Sequence, residues 1–327
     1  MSLPLEPGLK LGIMTIHRRT EPATGPWLPR IDDLVALVER VDRSGFDSIW
    51  VGDHVAFTLS ILDPLLTLAQ AAVASRRLTL GTCVYLLPLR HPAGVAKQVA
   101  SLDHLSEGRL IFGVGVGGEF PKEYEVSGVP LRERGARLTE SIQVLRALWS
   151  GGPASHQGRY FQFADVDMQP PPRQQPGPPL WCGGRAEAAL RRAGRMADGY
   201  LSYVITPERY AQALGTIAQA AAEAGRAPAT FGTGHLLFTR VDQDYERALD
   251  VAAQSLSVRY AMDFREAARR YAALGSPAQV AERIRAFHAA GVRHLVVDLI
   301  GPYEERDRKI EEFGAEVLPL LADLRSN

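Results

Sequence analysis

Short apolar runs alternate along this chain with longer stretches in which apolar residues recur every three or four positions. These are the two periodicities of strands and amphipathic helices. The runs Leu9 to Ile16, Ser48 to Gly52, Leu78 to Tyr85, Arg109 to Gly115, Leu180 to Gly183, Gly199 to Val204, Phe231 to Val241 and His294 to Ile300 predict eight strands. The pattern places helices over Ile31 to Ser44, Pro64 to Ser75, Pro92 to Ser106, Arg132 to Trp149, Arg185 to Met196, Pro207 to Ala224, Tyr245 to Tyr271 and Pro277 to Ala290. A last helix over Arg306 to Leu324 closes the chain. In the first helix Leu34, Leu37, Val38 and Val41 share one face and Gly45 supplies the stop. Strands that are apolar along their whole length are buried on both faces, as parallel strands sandwiched by helices are. Eight such units predict the α/β class, a (β/α)8 TIM barrel with insertions, with an open doubly wound sheet as the rival.

Gly151 to Pro179 breaks the rhythm. His156 to Phe163 reads as a small hairpin, and Pro170-Pro171-Pro172 through Pro179 as an extended, proline-stiffened approach. It is read as an insertion or lid edge within a single domain spanning residues 1–327, contributing to the pocket's outer wall together with the region after the seventh strand.

Composition narrows the class further. The chain of 327 residues is 46% hydrophobic and 23% charged, with 37 basic and 37 acidic side chains. That balance favours neither nucleic acid nor an anionic membrane as a partner. Met1 to Lys10 has no apolar core of signal-peptide length, and no run reaches the length of a membrane span. Cys83 and Cys182 are the only cysteines; both fall in predicted strands as buried thiols, which suits a reducing compartment. The expectation is a cytoplasmic protein.

Candidate chemistry gathers where strands end, because C-terminal strand ends face the active site of a parallel barrel. Asp53-His54 follows the second strand. This adjacent carboxylate and imidazole either meet a cofactor's polar edge and exchange a proton near neutral pH, or are a capping Asp beside a solvated His. Gly113-Val114-Gly115-Val116-Gly117-Gly118 does not match the dinucleotide spacing, since no helix is predicted before Arg132. Its alternating glycines, Gly115 and Gly117 among them, flatten one strand face against which a planar ring could lie. Glu119, just beyond, is either a base or a loop carboxylate. Gly183-Gly184-Arg185 sits between a strand and a helix, where free N–H groups and a guanidinium form an anion site. His17 could line the pocket, while His91 and His104 read as structural. The histidines show no metal-ligand spacing, so no metal is assigned.

Four segments together resemble the bacterial-luciferase-like monooxygenase family. They are Gly45-Phe46-Asp47-Ser48-Ile49-Trp50, Leu80-Gly81-Thr82-Cys83-Val84 followed by Arg90-His91-Pro92, Leu102 to Arg109, and Pro178 to Arg185. The resemblance implies flavin or deazaflavin chemistry at the strand C-termini, with Gly183, Gly184 and the following helix start on the cofactor phosphate. It implies a non-proline cis peptide at Cys83-Val84, bulging against the ring. Asp53-His54 is similar to the pair of deazaflavin-dependent members, with the His near the reactive edge of the cofactor. Glu119 stands one residue beyond the family's acid position.

The resulting expectation is an oxidoreductase transferring a hydride between coenzyme F420 and a small organic substrate. His54 and Glu119 are its catalytic residues, and Asp53, Cys83, Val84, Gly115, Gly117, Gly183, Gly184 and Arg185 hold the cofactor. The alternatives are an FMN-dependent monooxygenase served by a separate flavin reductase, a non-catalytic flavin-binding protein, and a cofactor-free phosphate-binding barrel. The resemblance also implies a homodimer.

Overall fold

The computed structural model describes residues 3–14, 31–57 and 61–325, so His17 lies outside the described residues. Eight strands close into a barrel: β1 (Lys10–Met14), β2 (Ser48–Val51), β3 (Thr79–Thr82), β4 (Leu110–Val114), β7 (Leu180–Gly183), β8 (Gly199–Tyr203), β9 (Gly232–Val241) and β11 (His294–Leu299). They pair in that order, every neighbour parallel, and β11 returns to β1. The predicted barrel is therefore present, and each predicted strand overlaps its observed one. Helices α1 (Ile31–Arg43), α2 (Pro64–Ala74), α3 (Pro92–Leu105), α5 (Arg134–Leu148), α6 (Glu187–Met196), α7 (Pro207–Glu223), α8 (Tyr245–Tyr260) and α10 (Pro277–Ala289) follow the strands.

Large residues opposite small ones fill the barrel. Trp50 on β2 lies in register with Gly81 on β3, and Trp181 on β7 with Gly199 on β8. A Cβ at Gly12 or Gly81 would collide with the Trp50 indole, and one at Gly199, Gly232 or Gly234 with Trp181. The two rings lie 5.7 Å apart between centroids and are fully enclosed. Burial of each indole stabilises the fold by roughly 4–6 kcal/mol on area grounds. Trp50 Nε1 donates to Ser48 Oγ at 2.8 Å, so the indole brings no unsatisfied donor inside.

Helix starts follow the expected chemistry. Asp63 caps α2 through the N–H groups of Leu65 and Leu66, with Pro64 at the first position. Ser276 and Gln279 form a capping box on α10.

The structure departs from the predicted elements in five places. A short helix, α4 (Pro121–Val126), begins well before Arg132. The single helix expected over Tyr245 to Tyr271 is two, α8 and α9 (Arg265–Tyr271), because Ala261 turns left-handed at φ 53°. A three-residue strand, β10 (Ala273–Gly275), pairs outside β9. The last helix holds its α form over α11 (Arg306–Glu312), widens over Phe313–Val317, tightens over Leu318–Leu321, and recovers in α12 (Ala322–Arg325). Pro319 has no N–H to give the ladder, which accounts for the distortion. Finally, Cys83 is only half-buried, just past the end of β3, whereas Cys182 is enclosed.

The segment from Gly151 to Pro179 contains the expected hairpin, β5 (Ala154–Gln157) with β6 (Gln162–Val166). It was expected at the pocket's outer wall, but it is fastened to α3 and α5 instead. Glu140 on α5 accepts from the N–H groups of Tyr160 at 2.8 Å and Phe161 at 2.7 Å. Gln174 donates to Asp103 on α3 at 2.7 Å, and His104 contacts the Pro171 carbonyl at 2.8 Å. Among the described residues no helix is long and apolar enough to cross a membrane.

Candidate active site

The C-terminal ends of the strands surround a cavity of about 920 Å³. That is toward the upper end of the roughly 300–1,000 Å³ usual for small-molecule sites. Its lining includes every residue expected at the site: Asp53, His54, Cys83, Val84, Gly115, Gly117, Glu119, Gly183, Gly184 and Arg185. Met14, Leu201, Leu236 and Phe238, packed in one cluster with the two indoles, make its floor apolar. No residue of 151–179 lines it, whereas the region after the seventh predicted strand does, through Tyr260, Arg270 and Tyr271, together with Tyr203 to Thr216.

One wall is built by the residues just past β3. The Cys83–Val84 peptide is cis, at the position the resemblance implied. Val84 fills the space that side chains would take at Gly115 and Gly183; a Cβ on Gly183 would sit 2.7 Å from Val84 Cγ1. Gly115, expected to face a ring directly, therefore makes room for Val84, and Val84 is the surface presented to the cavity. Gly117 takes a left-handed φ of 57° beside Leu86.

Asp53 does not offer its carboxylate to a ligand. It is buried, both oxygens are engaged by Arg90, and it accepts from the Leu86 N–H at 2.8 Å. Burial pushes its carboxyl upward against the opposing pull of Arg90 and the Leu86 N–H. The pair ties the end of β2 to the loop after β3, and Arg90 also lies over the Tyr85 ring at 4.5 Å. The expected contact between the Asp53 side chain and a cofactor's polar edge is replaced by this internal role.

His54 is held from several sides. Its Nδ1 lies 3.1 and 3.2 Å from the two carboxylate oxygens of Glu123. Phe57 stacks on the imidazole at 3.8 Å with an interplanar angle of 7°, and Phe120 meets it edge-on at 5.7 Å. Glu123, on α4, also accepts from the N–H groups of Val55 at 2.7 Å and Ala56 at 3.3 Å. Burial pushes the Glu123 carboxyl up, but His54 and these two N–H groups outweigh it and leave it below the usual range. The carboxylate beside His54 is thus Glu123 and not Glu119.

Glu119 accepts a hydrogen bond from the Tyr203 hydroxyl across the mouth of the cavity. Burial, with the nearby carboxylate, raises the Tyr203 phenol well above its ordinary value, so it stays a donor. The Arg185 guanidinium lies 4.8 Å over the Tyr203 ring and donates to the Val204 carbonyl at 3.0 Å. Deeper, Asp298 at the end of β11 pairs with Arg259 of α8 at 2.6 Å, both almost fully buried.

At the other end lies Gly183-Gly184. Gly184 has φ 132°, and its carbonyl accepts from the Tyr200 hydroxyl at 2.9 Å. Helix α6 starts at Ala186 with no side-chain cap, unlike α2, α7, α8 and α10. N–H groups at such a start are open to an anion. Among the described residues no group of three His, Cys, Asp or Glu side chains could hold a metal ion.

Sequence reasoning missed Glu123, Tyr203, Arg90 and the Arg259–Asp298 pair. Two of these carried a signal: Arg90 stands in a segment that bears the resemblance, and for Glu123, Pro121 as a first helical residue with an acid two positions on marks a helix start.

The model of the luciferase-like monooxygenase family matches residues 9–294. The chain belongs to that family, and it is an oxidoreductase of that class. Among its relatives is an F420-dependent glucose-6-phosphate dehydrogenase of Amycolatopsis mediterranei, 30% identical over 321 residues, which span 89% of this chain and 95% of that protein. The oxygenase component of a flavin-dependent trigonelline monooxygenase of Acinetobacter baylyi is 36% identical over 157 residues. That alignment spans 47% of this chain and 43% of that relative. Among solved structures, an F420-dependent secondary alcohol dehydrogenase in complex with an F420-acetone adduct superposes with a TM-score of 0.82 at 21% identity, covering 96% of this chain and 99% of that one. Monooxygenase RslO1 from Streptomyces bottropensis gives 0.80 at 25% identity, covering 95% and 99%.

Proposed function

We propose that this protein transfers a hydride between coenzyme F420 and a small organic substrate, with His54 moving the accompanying proton. The observation that carries this reading is a single cavity with a fixed imidazole at one end and an uncapped helix start behind Gly183-Gly184 at the other. The residues suit such a cofactor. Gly183, Gly184, Arg185 and the first turn of α6 would hold its phosphate, and Val84 with the backbone at Gly115 would support the ring. Beyond the cradle the cavity continues beside Ala186, Leu190, Arg209, Gln212 and Thr216, leaving passage for an anionic tail longer than that of FMN. The F420-dependent relative aligned along nearly the whole chain favours the same choice.

When bound, the cofactor supplies the hydride acceptor or donor. The protein's part is to bind, orient and exclude water. Apolar Met14, Leu236 and Phe238 hold the substrate body, while His54 takes or returns a proton at Nε2, the ring nitrogen not engaged by Glu123. Glu119, with Tyr203 donating to it, is the second polar group at the substrate end and the second catalytic candidate.

The second reading is an FMN-dependent monooxygenase served by a separate reductase, favoured by the match to the trigonelline oxygenase component. Titration with F420 and with FMN, followed by fluorescence, separates the two, and tight binding of neither refutes both. Replacing His54 by Ala is expected to lower turnover on the order of 10²- to 10⁴-fold while cofactor affinity changes little. Equal loss of both would make His54 a binding residue only.

A single domain, a cytoplasmic location and a homodimer belong to the same proposal. The two cysteines, Cys83 half-buried and Cys182 enclosed, suit a reducing compartment. Helix α2 exposes Leu66 and Val73, an outer face that a second copy would cover. Light scattering on the purified chain tests the dimer.

A further inference from the structure

We infer that Glu123 is the positioning residue of His54, fixing which ring nitrogen carries the proton and presenting the other to the cavity. The inference rests on the proposed role of His54, but its first test does not. A carboxylate can only accept, so the proton of a neutral His54 must sit on Nδ1, 3.1 Å from Glu123 Oε2. Nε2 then carries the lone pair. Phe57 covers a ring face at 3.8 Å and Phe120 abuts the ring edge-on, so the imidazole cannot turn without disturbing both. Glu123 is only 1% exposed, and the same carboxylate ties down the Val55 and Ala56 N–H groups. The charged neighbours do not compete for the ring: Asp53, adjacent in the chain, is taken by Arg90, and Glu119 is taken by Tyr203. The arrangement follows the logic by which a buried carboxylate orients a catalytic histidine and stabilises its charged form.

A purely structural reading would make Glu123 only an anchor for the loop after β2. Glu123→Gln separates the two. The amide is isosteric, and its oxygen can still accept from Val55 and Ala56. Its NH2, however, can face Nδ1 and drive the imidazole proton to Nε2. The experiment measures ring ¹⁵N shifts of His54 in the cofactor-free protein, in the wild type, Glu123→Gln and Glu123→Asp. The expected result is a proton on Nδ1 in the wild type, on Nε2 in Glu123→Gln, and back on Nδ1 in Glu123→Asp. The loop should stay in place, read from the amide shifts of Val55 and Ala56.

In the loaded enzyme, Glu123→Gln should lower turnover on the order of 10²- to 10⁴-fold. It should alter the pH profile and leave cofactor binding within about two-fold, since Glu123 itself lies outside the lining of the cavity. An unchanged proton position and pH profile in Glu123→Gln would overturn the inference and leave Glu123 as a loop anchor. A shifted proton with turnover unaffected in both Glu123→Gln and His54→Ala would uphold the positioning and refute the proton-transfer role of His54.

Discussion

Stability at acid pH should depend on one buried histidine that does not line the cavity. His235 on β9 points out of the barrel, where its ring stacks on Phe287 of α10 at 4.1 Å and its Nδ1 meets Ser202 Oγ at 2.8 Å. Burial, reinforced by the Arg283 charge and only partly opposed by Ser202, pushes its pKa down to about 3. The imidazole is therefore neutral in the native state throughout the mildly acidic range. The unfolded chain takes up a proton below the usual histidine pKa of about 6.5, and the native state refuses it. Stability is then unaffected above that pH and falls by about 1.4 kcal/mol per unit below it, until the native pKa is reached. At pH 4.5 the loss is roughly 3 kcal/mol, and across the whole window about 5 kcal/mol, against a typical total of 5–15 kcal/mol.

Carboxylates contribute their own acid sensitivity, so the comparison must be differential. Urea unfolding of the wild type and His235→Asn at pH 7.5, 5.5 and 4.5 isolates the term, since asparagine keeps a polar group for Ser202 and does not titrate. The variant starts less stable, having lost ring contacts with Phe287, and the gap should close as pH falls, by about 1.4 kcal/mol per unit. Two parallel stability curves would refute the reasoning.

Other perturbations follow from the site. Gly183→Ala places a Cβ 2.7 Å from Val84 Cγ1; the overpacking should destabilise by about 1–3 kcal/mol and weaken F420 binding at least about ten-fold, and unchanged affinity in a fluorescence titration would refute the cradle. Arg90→Ala leaves the Asp53 carboxylate buried without its cation; the loss in urea unfolding should be about 3–5 kcal/mol. The double variant Asp53→Asn with Arg90→Met should recover part of it, and equal losses in the two variants would show that the charge itself is not what matters.

The barrel was legible because its strands are buried on both faces and so read as uninterrupted apolar runs. Leu180–Gly183 was predicted to the residue. Elements too short for a period were not: β10 has three residues and α4 six. The break after α8 carried no Gly or Pro, since Ala261 supplies the left-handed turn. At the site, the strand-end positions were readable and their partners were not. Glu123 reaches His54 across 69 residues, and Tyr203 reaches Glu119 across 84. No local periodicity encodes a contact made only when the barrel closes. For the same reason Asp53 was read as a ligand group: the sequence places it at the mouth, and only the fold turns its carboxylate inward onto Arg90.

The two indoles beneath the cavity have a practical meaning. Trp50 and Trp181 share one apolar cluster with the cavity-lining Met14, Leu236 and Phe238. Indole emission falls where oxidised flavins and deazaflavins absorb, and energy transfer over so short a range is efficient. The chain therefore carries its own optical reporter. Any yellow cofactor entering the cavity should quench the native fluorescence, so occupancy can be followed in real time without a label.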